Sequence, residues 1–146
     1  MIPVKIFIEE GVKTPVYKTS GSVGFDIESN ENETIILKPG ERRLIHTGLY
    51  MEIPIGYELQ IRPRSGLSLK NGFVPVLGTI DNDYRGEIGI IAMNLNDKND
   101  FIIRKGDRIA QGVIAPVVVA LFDKVDSVEK LSKTDRGAGG FGSTGI

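Results

Sequence analysis

The sequence predicts an all-β fold of antiparallel strands, arranged as a sandwich, a jelly roll or a barrel. Apolar residues alternate with polar ones in many short runs, which is the period of a strand with one buried face. Turn-forming residues recur between these runs, as at Pro54-Ile55-Gly56 and Lys105-Gly106-Asp107. A single segment has the pattern of a helix, and many short strands with regular turns favour an antiparallel architecture.

The predicted strands follow the alternating runs in chain order. Val4, Ile6 and Ile8 predict an opening strand. Residues 108–122 are rich in β-branched side chains and predict two strands around Pro116. The other strands are predicted at residues 25–29, 34–37, 43–46, 49–53, 57–62, 73–76, 87–94 and 101–104.

Residues 65–72 predict a short helix. Ser65 is a suitable N-cap residue, and Asn71-Gly72 is a typical helix end because glycine adopts the left-handed conformation at low cost. We expect Leu67 and Leu69 to anchor the helix on the core.

Composition restricts the classes of function. The chain has 146 residues, which suits one domain, and its net charge of −1 comes from interspersed charges rather than the basic face of a nucleic-acid binder. The absence of cysteine excludes disulfides, thiolate nucleophiles and cysteine-ligated metals. The single histidine, His46, excludes a multi-histidine metal site within one chain, and we expect it to be structural or exposed.

Hydropathy predicts no membrane partner. No segment has the length of a membrane span, and the first residues lack a signal-peptide pattern. We therefore expect a cytoplasmic protein, or one in a host cell's cytoplasm if it is virally encoded, with no nucleic-acid partner.

An acidic turn is the first candidate for catalysis. Ile80 leads into Asp81-Asn82-Asp83, and apolar residues resume after Glu87, which predicts a strand, a tight turn and a returning strand. A carboxylate at the mouth of a hairpin is held on rigid backbone, as a general base requires. Asp-rich turns are common, however, and the pattern does not separate Asp81 from Asp83.

Two segments could bind an anion. Arg64, Ser65 and Gly66 precede or open the predicted helix, where free N–H groups and guanidinium groups bind phosphate. Gln111 is a polar residue near the start of a predicted buried strand, and its amide could bind a phosphate or position a water. The alternatives are a capped helix with solvated arginines, and a glutamine that faces outward.

The last residues differ from the rest of the chain. We assign residues 1–131 to the folded domain and residues 132–146 to a mobile Gly-rich arm, which cannot bury enough apolar surface to fold alone. Arg136 supplies a cation, and Phe141 offers a flat face for a base. The glycines, including Gly142, allow close approach to phosphate oxygens, and Ser143 and Thr144 can donate to them. A flexible linker is the alternative.

Phosphate donors, an aromatic residue and a fixed carboxylate together suggest a nucleoside triphosphate and a water-activating base. Five segments carry these residues in order: Gly24-Phe25-Asp26-Ile27, Pro63-Arg64-Ser65-Gly66-Leu67, Gly78-Thr79-Ile80-Asp81-Asn82-Asp83-Tyr84-Arg85-Gly86, Gly106-Asp107-Arg108-Ile109-Ala110-Gln111, and Arg136-Gly137-Ala138-Gly139-Gly140-Phe141-Gly142-Ser143-Thr144-Gly145. They resemble, in the same order, the five motifs of the homotrimeric deoxyuridine triphosphatase (dUTPase) family.

The resemblance implies a distorted jelly roll (a dUTPase-like β-clip) with one short helix and a flexible C-terminal arm. It implies a homotrimer with three sites, each built from three chains, in which the arm closes over a neighbouring subunit's site. The implied reaction is hydrolysis of dUTP to dUMP and pyrophosphate, which limits uracil incorporation into DNA and supplies dUMP for dTMP synthesis.

The resemblance also implies residue roles. Asp81 would activate the water that attacks the α-phosphorus, and Tyr84 would lie under the deoxyribose and exclude a 2′-hydroxyl. The backbone of Gly78, Thr79, Ile80 and Gly89 would read uracil. Arg64, Ser65, Gly66 and Gln111 would hold the phosphates and the water, and Asp26 would support the site.

The arm and the metal complete the implied site. Arg136 would meet the γ-phosphate, Phe141 would stack on uracil, and Gly142, Ser143 and Thr144 would close over the triphosphate. Mg²⁺ is expected on the triphosphate and waters, with no direct protein ligand.

Three residues depart from the family pattern. Pro75 stands where many bacterial members have an asparagine that helps to read uracil, so main chain is expected to carry base reading. Phe25 replaces a usual tyrosine, and Gly112 replaces a commoner apolar residue.

Two other functions are compatible with the fold: a dCTP deaminase-like enzyme, and a non-catalytic nucleotide-sensing or protein-binding module.

Overall fold

The computed structural model of the chain describes residues 1–140, and its strands are short and antiparallel, as the sequence predicts. The helix α1 spans Ser65–Asn71, and a 3-10 turn spans Val128–Lys130. The strands are β1 (Lys5–Ile8), β2 (Phe25–Glu28), β3 (Ile35–Leu37), β4 (Arg42–Ile45), β5 (Leu49–Glu52), β6 (Tyr57–Arg62), β7 (Phe73–Pro75), β8 (Gly78–Ile80), β9 (Ile90–Asn94), β10 (Phe101–Ile103) and β11 (Arg108–Pro116).

The strands form four small sheets around one core. The largest sheet has the order β2-β11-β6-β8, a second has the order β4-β9-β7, and β1-β5 and β10-β3 form pairs. In strands such as β2, β3 and β9 alternate residues point inward, so branched aliphatic side chains and two phenylalanines fill the interior. The rings of Phe73 and Phe101 stack there with centroids 4.2 Å apart. This layered packing supports the predicted all-β architecture.

The run after Pro116 does not form the second strand that its composition predicts. β11 ends at Pro116, and Val117 N–H makes one further bond to the Gly56 carbonyl, 2.8 Å away. Beyond it, Val118, Val119, Leu121 and Phe122 are almost fully exposed. A strand needs a neighbouring strand for its hydrogen bonds, and the described part of this chain offers none at this place. The prediction of two strands is therefore wrong for a single chain.

The acidic turn does not belong to a simple hairpin. β8 pairs with β6, whereas β9 pairs with β4 and β7, so the strands before and after the turn lie in different sheets. The predicted strand at 87–94 is shortened at its start, because Glu87 and Ile88 bond to the β4–β5 connection and to the first residue of β5 instead of to β8. The turn itself is present: Tyr84 N–H donates to the Asp81 carbonyl over 3.2 Å.

The helix is predicted in the right place, but its start differs. Arg64 is the N-cap residue and Ser65 is the first helical residue, without a capping bond from its side chain. Gly72 ends the helix in the left-handed conformation with φ 64°, as the Asn-Gly pair predicts. Leu67 packs against the core, but Leu69 points to solvent and does not anchor the helix.

Candidate functional site

The predicted anion-binding residues meet in one open groove. Arg64, Ser65 and Gly66 line it from the start of α1, and Gln111 lines it from β11. Lys70 on the next turn of the helix contributes a second cation to its wall. The sequence separates Gln111 from the helix by more than forty residues, and the pairing of β11 with β6 brings them together.

The first turn of α1 leaves donors free for a ligand. The N–H groups of Leu67 and Ser68 both bond to the Arg64 carbonyl, at 3.0 and 3.1 Å. Within residues 1–140, the N–H groups of Ser65 and Gly66 have no backbone partner, as expected for the first residues of a helix. They are available to an anion in the groove.

Asp26 holds two arginines at the edge of this groove. Its carboxylate lies 3.0 Å from Arg64 Nε and 3.2 Å from Arg108 Nη1, and all three side chains are at least partly shielded from solvent. Arg64 Nη1 also donates to the Arg108 carbonyl over 2.7 Å. The carboxylate thereby orients Arg64.

Arg108 was not among the predicted site residues, and a β-bulge explains why. In a regular strand, residues 108 and 111 would point to opposite faces. The register of β11 against β2 shifts between Arg108 and Ala110, and Ile109 and Ala110 are both buried in succession. The extra residue places Arg108 on the same face as Gln111. Two adjacent apolar residues in an otherwise alternating strand are the signal that could have predicted this.

Gln111 is positioned by its neighbours. Its Nε2 donates to the Pro63 carbonyl over 2.8 Å, which links β11 to the segment that leads into α1. A Cβ at Gly24 would lie 2.8 Å from Gln111 Oε1, so the glutamine occupies the space that a side chain there would need. Gly24 is thus a second residue whose role the sequence did not reveal.

The structure supplies the reason for Gly112. A Cβ at this position would lie 2.6 Å from Cζ of Phe25 and 3.0 Å from Cδ1 of Leu59. The phenylalanine ring fills the space that the apolar residue more common in the family would occupy. Two of the three departures from the family pattern, Phe25 and Gly112, therefore pack against each other.

The acidic turn presents its carboxylates to solvent. Asp81 directly follows β8, whereas Asp83 lies within the turn, and both are exposed. Arg85 Nη1 donates to the carbonyls of Asn82 and Tyr84, at 2.7 and 2.8 Å, and holds the turn closed. Asp81 is therefore the carboxylate attached to the end of a strand.

The outer edge of β8 has no strand beside it in the described part of the chain, because β8 is the last strand of its sheet. Alternate residues of the run Gly78–Ile80 therefore direct their backbone N–H and C=O groups to this edge. Gly89 lies on the segment beyond the turn, where a Cβ would come within 2.6 Å of Leu44 Cδ1. Pro75 is buried in the edge strand β7 opposite Ala92 and offers no polar group.

Glu87 is the main residue of this region that the sequence did not single out. Its Oε1 accepts from Thr47 N–H at 2.9 Å and from Gly48 N–H at 2.8 Å, and its Oε2 lies 2.8 Å from His46 Nδ1. Burial alone would raise the pKa of Glu87, but the bonds from His46, Gly48 and Thr47 outweigh it and lower the pKa.

His46 is the exposed partner of this pair. Its bond to Glu87 and the charge of that carboxylate raise the pKa of the imidazole against an opposing contribution from burial, and the charges of Glu31 and Glu9 raise the pKa to a lesser extent. The structural or exposed role expected for His46 agrees with this geometry.

Asp81 and the groove lie far apart within one chain. Ile80 is level with Leu59 on β6, and β6 runs from there toward Arg64 while β8 runs the other way into Asp81. Five residues separate Leu59 from Arg64, which corresponds to roughly 15 Å of extended chain. One chain therefore does not place the carboxylate beside the phosphate donors.

The arm is described only to residue 140. Arg136 is exposed, and its Nε donates to the Gly139 carbonyl over 2.8 Å within a local turn. Phe141, Gly142, Ser143 and Thr144 lie outside the described residues. The expected contacts of the arm therefore stay predictions.

The described residues contain no group of three or more acidic or histidine side chains placed to hold a metal ion. Exposed acidic residues such as Asp81 can still contact waters around a phosphate-bound ion. Across residues 1–140, no helix combines the length and apolar character needed to cross a bilayer.

Comparison with known proteins identifies one family. A family model described as dUTPase matches residues 10–145. A deoxyuridine 5'-triphosphate nucleotidohydrolase from Treponema denticola is 55% identical over 95% of this chain and 95% of its own length. The corresponding protein from Nautilia profundicola is 57% identical, covering 90% of this chain and 89% of its own length.

Solved structures agree with the sequence comparison. The Staphylococcus bacteriophage 80alpha dUTPase with dUPNHPP superposes with a TM-score of 0.85 at 29% identity, covering 100% of both chains. A mutant dUTPase from phage phi11 of S. aureus, in which a structural Mg(II) ion is coordinated, has a TM-score of 0.78 at 27% identity, covering 88% of this chain and 100% of its own. The strands and single short helix match the jelly-roll β-clip of these proteins. The chain belongs to the dUTPase family.

Proposed function

We propose that this protein hydrolyses dUTP to dUMP and pyrophosphate. The observation that carries the proposal is the convergence of Arg64, Ser65, Gly66 and Gln111 in one groove whose donors suit a polyphosphate. The sequence relatives, all named deoxyuridine 5'-triphosphate nucleotidohydrolases, support dUTP as the substrate. Neither a deaminase nor a non-catalytic module is favoured by any of these relatives.

Asp81 acts as the general base. It takes a proton from a water whose oxygen attacks the α-phosphorus, and the bond from that phosphorus to the bridging oxygen of the leaving pyrophosphate breaks. The carboxylate is suited to this because it is exposed and sits at the end of a strand rather than within the turn. Asp83, two residues further along, lies within the turn instead.

The edge of β8 reads the base. Uracil presents a donor between two acceptors, and the backbone groups of Gly78, Thr79 and Ile80 can meet them without any side chain from Pro75. Gly89 lies on the other side of the bound uracil. Cytosine reverses part of the pattern and leaves buried groups unpaired, so it is rejected.

Tyr84 selects the sugar by occupying the space under the deoxyribose. Its ring is half-exposed, and its hydroxyl donates to the Glu87 carbonyl over 2.9 Å. A 2′-hydroxyl would collide with the ring.

Positive charge neutralises the triphosphate. Arg64, oriented by Asp26, and the N–H groups of Ser65 and Gly66 hold the phosphates, while Gln111 positions the water. Arg136 meets the γ-phosphate, Phe141 stacks on uracil, and Gly142, Ser143 and Thr144 cover the triphosphate. Mg²⁺ on the triphosphate and its waters would supply further charge.

The active form is a homotrimer with shared sites. The separation of Asp81 from the groove supports this, because the base of one chain must meet the phosphate donors of another. The exposed apolar run 117–122 supports it too, since such a run is covered in an assembly more readily than in water. The arm of a third chain would close each site.

The test is hydrolysis of dUTP and dCTP by the wild type and by Asp81→Asn. We expect the wild type to release pyrophosphate from dUTP without ammonia, and Asp81→Asn to lose nearly all turnover. Asp83→Asn is the matched control and keeps most of it. Equal activity in wild type and Asp81→Asn would remove Asp81 from the mechanism, and ammonia release from dCTP would favour the deaminase.

A further inference from the structure

Two consecutive residues just beyond the acidic turn are clamped to the β4–β5 connection. The Glu87 carboxylate accepts from the N–H groups of Thr47 and Gly48 and pairs with His46. The next residue, Ile88, donates its N–H to Leu49 O over 2.8 Å and accepts from Thr47 Oγ1 over 2.6 Å. We refer to these five bonds as the Glu87 clamp.

The Glu87 clamp fixes the backbone on which Tyr84 rests. The tyrosine hydroxyl donates to the carbonyl of Glu87, whose side chain is the one that the clamp holds. The ring lies against Gly86, where a Cβ would collide with it. Tyr84 is otherwise half-exposed, so these contacts with residues 86 and 87 define where the ring lies.

The chemistry of the clamp suits a positioning role. A carboxylate that accepts two backbone N–H bonds and one from an imidazole has a defined geometry, because each bond is charge-assisted. Most of the Glu87 side chain is shielded from solvent, with 22% exposed, so competition from water is reduced. A solvated glutamate would give the backbone at residue 87 no such restraint.

We propose that Glu87 is a positioning residue for sugar selection: through its own carbonyl it holds Tyr84 in the place from which the ring excludes a 2′-hydroxyl. This rests on the proposed function, since the ring matters only if a deoxynucleotide binds there. Glu87 does not touch the substrate. It acts through Tyr84, and its loss widens the sugar site without removing the base or the phosphate donors.

The kinetic test measures kcat/KM for dUTP and for UTP and compares their ratio between variants. Glu87→Ala and Tyr84→Phe should each lower the ratio about tenfold, the effect of losing one well-placed bond to a charged or fixed group. Glu87→Gln should lower it only about threefold, because the amide oxygen still accepts from Thr47 and Gly48. The matched control is Glu31→Gln, which alters a carboxylate that binds His46 N–H, 2.9 Å away, on the same connection. It should leave the ratio unchanged.

A double variant distinguishes positioning from a general loss of stability. If Glu87 acts through Tyr84, Glu87→Ala combined with Tyr84→Phe lowers the ratio no further than the stronger single change. The proposal would be overturned if the double variant lowered the dUTP/UTP ratio by the product of the two single effects. It would also be overturned if Glu87→Ala left this ratio unchanged. If Glu87→Ala does not fold, the test rests on Glu87→Gln. A ratio of kcat/KM for dUTP to that for UTP equal to the wild-type ratio then overturns the proposal.

A crystal structure of Glu87→Gln or Glu87→Ala gives a readout that needs no activity. We expect the Tyr84 hydroxyl to leave the carbonyl of residue 87 in the alanine variant. A tyrosine that keeps this bond in Glu87→Ala would overturn the proposal even if the wild type proved inactive on dUTP. Inactivity of the wild type on dUTP, by contrast, would overturn the proposed function. The position of the Tyr84 ring in the crystal structures would then still test whether the Glu87 clamp positions it.

Discussion

The side chain of Gln111 occupies the space that any side chain at Gly24 would need. The nearest approach, 2.8 Å between a Cβ at Gly24 and Gln111 Oε1, is too short for two heavy atoms that are not hydrogen-bonded. Gly24 belongs to the first of the family's motifs and Gln111 to the fourth. The two motifs therefore share this space, and they are also joined by the pairing of β2 with β11.

Gly24→Ala should therefore impair catalysis more than folding. The methyl group displaces the Gln111 amide from its bond to Pro63, and misplacement near 1 Å costs between about tenfold and about a hundredfold in rate. Steady-state hydrolysis of dUTP measures the loss. Gly21→Ala is the matched control, since a Cβ there meets nothing within 4 Å. Equal activity of the two variants would contradict this coupling.

Gly112→Ala should destabilise the fold by overpacking. The added methyl group collides with the Phe25 ring, and overpacking of a core costs about 1–3 kcal/mol in the free energy of unfolding. Denaturant unfolding measures it. A second substitution, Phe25→Leu, makes room and should recover part of the loss. If the double variant is as unstable as the sum of the singles, the ring is not the cause.

Mixing two inactive variants tests whether sites are shared between chains. Asp81→Asn keeps an intact groove, and Gln111→Ala keeps an intact base. If each site takes its base and its groove from different chains, random mixing of the two restores about a quarter of the wild-type sites. Unfolding and refolding the variants together, followed by a dUTP assay, measures the recovery. No recovery beyond the separate variants would place both residues of a site in the same chain.

The His46–Glu87 pair should make stability depend on pH. Glu87, with Glu31 and Glu9 behind it, raises the pKa of His46 in the folded state, so the stabilisation is fully present below the unfolded pKa and is lost as pH rises through the folded one. The difference in Tm between the wild type and His46→Ala should shrink between about pH 6 and about pH 8.

The size of that effect is limited by solvent. The imidazole is 59% exposed, so the contribution should stay below about 1 kcal/mol. Because His46 is the only histidine, its NMR signal titrates without overlap and reports the pKa directly. A pKa at or below the ordinary value would contradict the assigned pair.

The C-terminal arm should contribute to turnover rather than to assembly. Deleting the residues after Lys133 should remove most hydrolysis and leave a folded trimer, because most of the described part of the arm is exposed to solvent. Within the arm, Arg136→Ala should raise KM, and Lys133→Ala, which removes the other cation of the arm, should not. Activity assays and light scattering provide the two readouts. Dissociation on truncation would show that the arm is structural.

The sequence alone predicted the fold class, nearly every strand, the helix and four of the residues that line the groove, namely Arg64, Ser65, Gly66 and Gln111. These follow from local alternation of apolar residues, from turn chemistry, and from the ordered resemblance of five segments to one family. Local patterns do not specify which strands pair. The predicted hairpin around Asp81 and the second strand after Pro116 were therefore both wrong, since each depends on where a partner strand lies.

Only the tertiary structure decided how distant residues support the site. The bulge that turns Arg108 toward Asp26, the volume shared by Gly24 and Gln111, and the bonds of Glu87 to the β4–β5 connection all join segments far apart in sequence. The structure also separated Asp81 from the phosphate donors along β6, because antiparallel pairing sends β8 away from the groove. Contacts between segments so far apart in sequence depend on how whole sheets pack. Patterns among neighbouring residues do not specify that packing.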